Sequence, residues 1–155
     1  MLRALQDLFQ SFSSPAASPA QREDALRRAT AVLLVEVMRA DPQVKPGERE
    51  AVMAALKQKF GLPSEEIEDL VALAEHEARK ANDFFAFTST LNERLAHPQK
   101  IRIVELMWSV AYADGDVDAN ENHVISKVAG LLHVTHGEYI AAKLHARQAA
   151  GLGAP

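Results

Sequence analysis

Apolar residues recur at intervals of three and four along nearly the whole chain, and no stretch alternates apolar with polar as a half-buried strand does. That periodicity predicts an all-α fold, a compact bundle of about seven or eight helices. Leu2, Leu5, Leu8, Phe9 and Phe12 suit one face of a short amphipathic helix over residues 1–12. A Ser/Pro/Ala linker over 13–20 and a single helical domain over 21–150 follow it. Such a terminal helix either docks on the domain or makes a peripheral membrane or partner contact.

Start and stop signals divide the rest. Ser18, Pro19 and Gln21 supply the N-cap hydroxyl, first-turn proline and capping-box amide of a helix. Its apolar stripe is Leu26, Thr30, Leu33, Leu34, Val37 and Met38, and Asp41-Pro42 ends it, because the residue before proline is driven from helical geometry. Val52, Ala55, Leu56 and Phe60 line a second helix that starts at Pro46 and closes at a left-handed Gly61. Ser64 opens a third, with Glu65, Glu66, Glu68 and Asp69 near its start and Arg79 and Lys80 at its end, as the helix dipole favours. Asp83 caps a segment carrying Phe84, Phe87, Leu91 and Leu95, which His97-Pro98 breaks. The strongly apolar run from Pro98 to Ala113, with Trp108, is the predicted central core helix. Val124, Val128, Leu131 and Leu132 mark another helix, and Tyr139, Ile140 and Leu144 the last.

Several functional classes fall away on composition. The chain has no cysteine, so disulfides, iron–sulfur clusters and thiolate zinc sites are excluded. A formal charge of -4 supplies no clustered basic face for phosphate backbones, so no nucleic acid is expected as partner. No apolar run is long enough to span a bilayer and no signal peptide precedes the domain, which predicts a cytoplasmic protein. No phosphate loop, dinucleotide turn or nucleophile elbow is present.

One segment departs from ordinary helical punctuation. Ala111-Tyr112-Ala113-Asp114-Gly115-Asp116-Val117-Asp118-Ala119-Asn120-Glu121 sets four carboxylates within eight residues between two apolar-periodic stretches. Upstream, Ala40-Asp41, Val44 and Glu48 repeat its skeleton at a constant offset of 73, and Leu33 and Val37 likewise match Leu106 and Val110. The repetition predicts a pseudo-twofold internal duplication that brings Asp41, Glu48, Asp114 and Glu121 towards one crevice. In the first copy Pro42 stands where the second has glycine, and Gln43 and Lys45 replace acids, so a lopsided site around Asp114, Asp116, Asp118 and Glu121 is the stronger candidate.

The Ala-Tyr-Ala-Asp-Gly-Asp-Val-Asp-x-x-Glu string after a long apolar helix, with its weaker upstream copy, resembles the TerB family of tellurite-resistance proteins over roughly residues 25 to 148. The resemblance implies a compact, pseudo-symmetric helical domain associated with stress and tellurite resistance, with metal bound through the acidic turns. Carried over by position, the motif residues are Asp41 and Glu48 in the first copy and Asp114 and Glu121 in the second.

Read on their own, the loop carboxylates suit a hard divalent cation, calcium, magnesium or manganese. The loop is not an EF-hand, because Ala119 and Ile125 occupy the positions of its glycine and bidentate glutamate. A structural role competes: Asp118 is a natural N-cap and Glu121, three residues on, a capping-box partner. His123, His133 and His136 lack the paired helical spacing of a zinc hydrolase and read as surface or capping groups. The sequence therefore predicts a noncatalytic helical module that binds an unidentified protein partner and a divalent cation at Asp41, Glu48, Asp114, Asp116, Asp118 and Glu121. The alternative is a metal-dependent hydrolase or lyase using Asp114 and Glu121.

Overall fold

In the computed structural model the described residues are 18–40, 46–80, 84–115 and 117–152, excluding the side chains of Pro46 and Asp114. The terminal helix expected over 1–12, most of the linker, and Asp41, Asp83 and Asp116 lie outside them. Among the described residues there are seven α-helices and no strand.

α1, Pro19–Ala40, starts where its signals place it. The Gln21 backbone N–H donates to Ser18 Oγ at 3.2 Å, and Gln21 Oε1 accepts the Ser18 N–H at 2.8 Å, a reciprocal capping box. Pro19 stands at the first helical position, as those signals predict. Ala29 to Val35 are buried without interruption, so this helix is apolar all round and not a stripe. It packs against α2 (Pro46–Phe60), α3 (Ser64–Lys80), α4 (Phe85–Arg94), α5 (His97–Ala111) and α6 (Ala119–Leu131). The centre of the bundle is thus α1; the expected central helix, α5, is its neighbour and carries the fully buried Trp108. α7 (His136–Ala149) packs chiefly on α5.

One expectation of burial fails. Of the three residues that mark α7 in the sequence, Ile140 and Leu144 are exposed and Tyr139 is buried, docking the helix together with Ala142 and Ala146. Phe85 is 65 % exposed, whereas Phe87 enters the core. No described helix is long and apolar enough to cross a membrane.

The helix ends follow local chemistry. Gly61 closes α2 with φ 66°, its N–H donating to the Lys57 carbonyl at 2.8 Å. Thr135 and Glu138 form a reciprocal capping box at the start of α7. α6 ends in a Schellman arrangement, with the N–H of His133 on the Gly130 carbonyl and that of Val134 on the Ala129 carbonyl. His133 holds the left-handed position at φ 62°, which glycine adopts without Cβ strain. His133→Gly should therefore raise stability by about 0.5–1 kcal/mol, read as a higher midpoint in urea; a lower midpoint would show that the imidazole contributes more than the strain costs.

Candidate functional site

α5 does not run directly into a loop. It tightens into a 3₁₀ turn, Tyr112–Asp114, after which Gly115 reverses the chain at φ 97° with its N–H on the Tyr112 carbonyl at 3.0 Å. Val117 packs half-buried against the core. Asp118 then caps α6: its Oδ1 accepts the Glu121 N–H at 2.7 Å, and Glu121 Oε1 accepts the Asp118 N–H at 3.1 Å. The predicted capping box is present.

Capping does not explain where Glu121 ends up. Its side chain is fully buried, and so is that of Glu48. Each glutamate occupies the third residue of the helix after its turn, Glu48 in α2 and Glu121 in α6. α2 packs against both α5 and the 3₁₀ turn, and this placement sets the two carboxyls in hydrogen-bond contact. Burial pushes the Glu121 carboxyl up; the Asp118 amide opposes this, while the hydrogen bond and charge of Glu48 and the charge of Asp118 add to it, giving a pKa of about 8. When both carboxyls are ionised neither can donate, and Glu121 Oε2 then has no donor among the described residues. A single proton between them supplies the missing donor, so at neutral pH the pair is best described as two carboxyls sharing one proton.

Of the sequence-predicted site residues, Glu48 and Glu121 are brought together, Asp118 is half-buried beside them, and Asp114 has its backbone in the 3₁₀ turn. Asp41, Asp116 and the Asp114 side chain lie outside the described residues. Among the described residues no three carboxylates and imidazoles stand close enough to hold a metal ion. His123 is exposed on α6, and His136 stacks on Tyr139 at 5.9 Å.

The sequence reasoning missed what faces the turn from the other side. A cleft of about 460 Å³ opens between the turn and α7, lined by Tyr112, Gly115, Val117, Asp118, Ala119 and Asn122 together with Lys143 and Arg147 of α7. The four-residue spacing of Lys143 and Arg147, which puts both on one helix face, was the available signal. Lys143 Nζ lies 5.0 Å from the Trp108 ring centroid, and Tyr112 and Tyr139 pack on the same indole at 6.0 and 5.3 Å.

The geometry defines a helical domain in which an acidic turn stands over a buried carboxyl pair. The family model described as tellurite resistance protein TerB matches residues 27–144. The chain belongs to that family and is a helical domain associated with tellurite resistance. No curated protein and no solved structure matches it.

Proposed function

We propose that this TerB domain is a noncatalytic, cytoplasmic binding module of a tellurite and stress response, engaging a partner protein and holding calcium, magnesium or manganese at its acidic turns. The observation that carries the cation reading is the buried contact between Glu48 and Glu121. Two carboxylates about 4 Å apart repel by roughly 4 kcal/mol at an effective dielectric constant near 20, and a divalent cation replaces that repulsion with attraction. The donors are all oxygen, which suits a hard cation. Asp41 and Glu48 would serve from the first turn and Asp114, Asp116, Asp118 and Glu121 from the second. Asp118 already commits one oxygen to capping, which leaves its other free for a ligand role.

The matching helical positions of Glu48 and Glu121 support reading the two helix–turn–helix segments as an internal duplication. No observation here favours the alternative of a metal-dependent hydrolase or lyase using Asp114 and Glu121.

Calorimetric titration at pH 8.5 with each of the three ions should give saturable heat and a higher melting temperature for the wild type. At a hundredfold excess over Kd the gain is about 2.7 kcal/mol. Glu48→Gln and Asp114→Ala should lose most of it. No heat and an unmoved melting temperature with all three ions would eliminate the cation reading. Pull-down from native lysate with and without the ion that binds tests whether a partner protein depends on it.

A further inference from the structure

The cleft between the acidic turn and α7 presents two cations that the fold itself does not use in ion pairing. Lys143 and Arg147 are both half-buried, and among the described residues neither forms an ion pair. Arg147 Nε is wholly shielded from solvent and has no acceptor among those residues. That shielding closes Nε to a ligand as well; what suits an acceptor from outside is the guanidinium charge of Arg147, which lines a ligand-sized cleft without a carboxylate partner among those residues. Lys143 is restrained over the Trp108 ring and is thus held towards the cleft at little further entropic cost.

The opposite wall is complementary. Ala119, which lines the cleft, opens α6, where the first amides have no carbonyl within the helix to bond; the N–H groups of Glu121 and Asn122 are taken by Asp118. Among the described lining residues the charges are those of Lys143, Arg147 and Asp118, one net positive, and Asp118 Oδ1 is turned into the cap. An arginine fork, an ammonium and amide donors together match a tetrahedral oxyanion.

We propose that this cleft is a phosphate-binding site, in which Lys143 and Arg147 hold the oxyanion against the first turn of α6. The site goes beyond the cation reading and does not rest on it.

The test uses the full chain in EDTA at constant ionic strength, titrated with inorganic phosphate and, separately, with O-phosphoserine. Two signals report it: the emission of Trp108, the single tryptophan, and the amide NMR shifts of Ala119 and Asn120. Saturable shifts are expected, with Arg147→Gln and Lys143→Gln each weakening the affinity about tenfold or more and leaving the far-UV spectrum unchanged. Tighter binding of phosphoserine assigns the site to a phosphorylated partner, and tighter binding of the free ion to a small metabolite. Linear, non-saturating shifts, equal responses in the Arg147→Gln protein, or binding only after a divalent cation is restored would each overturn the proposal.

Discussion

Lowering the pH from 8.5 to 5 is expected to stabilise this domain, the reverse of the behaviour of a protein held by exposed carboxylate ion pairs. The Glu121 carboxyl has a pKa of about 8 in the fold, against 4.5 for an unburied glutamate. Between those values the folded chain retains a proton that the unfolded chain has released. Stability therefore falls as pH rises through that window, with a slope approaching 1.4 kcal/mol per pH unit and a total of a few kcal/mol. Below about pH 4.5 both states are protonated and the contribution is fully present; above about pH 8 it is gone. Burial also raises the carboxyls of Glu77 and Glu36, which adds slope of the same sign. Glu138 works in the opposite sense, because the Thr135 amide and then His97 hold its carboxyl low.

Glu121→Gln isolates the pair. A glutamine still accepts the Asp118 amide, as capping boxes allow, and its NH₂ can donate to an ionised Glu48. The variant should be more stable than wild type at pH 8.5 by a few kcal/mol and close to it at pH 5, with a correspondingly flatter pH profile. Urea midpoints across that range measure both. A wild-type profile that is flat or rises with pH, or a glutamine variant weakened equally at every pH, would show that the two carboxyls do not share a proton. The same linkage makes cation affinity pH-dependent. Binding through the pair requires both carboxylates, so it should strengthen as pH rises through 8.

The helices were legible because their signals are local. Ser18 with Gln21, Asp118 with Glu121, and Gly61 each name a helix end from residues within three or four positions of one another. Burial was legible only where periodicity decides it. Ala29, Ala31, Val32 and Val35 break the stripe of α1 because five helices surround it, and surroundings are not written in one segment. Ile140 and Leu144 failed for the converse reason: α7 lies at the edge of the bundle and buries only the face of Tyr139, Ala142 and Ala146, leaving those two outside. At the site, the repeat named Glu48 and Glu121 among its residues, but their hydrogen-bond contact depends on the packing of α2 against α5 and the 3₁₀ turn. Lys143 and Arg147 lie more than twenty positions from the motif they face, so only the tertiary arrangement could join them to it.

Trp108→Ala should be the most damaging core truncation, at about 3–5 kcal/mol. The indole is the largest side chain that the fold buries completely, and it sits where α5 meets α7. Its removal opens a cavity between Tyr112 and Tyr139, two large rings held by their own backbone positions and poorly placed to collapse into it. It also strips Lys143 of the ring beneath its ammonium. The indole N–H has no acceptor among the described residues, so phenylalanine forfeits area and shape but no hydrogen bond. Trp108→Phe should accordingly cost only about 1–2 kcal/mol. Thermal melts followed by far-UV circular dichroism at pH 6 separate the two, with alanine expected to lower the midpoint by roughly 10 °C, or about 2–4 °C per kcal/mol for a domain of this size. Equal losses for the two variants would mean that the indole nitrogen has a partner; a negligible loss for alanine would mean that α7 is not fastened to the bundle through this ring.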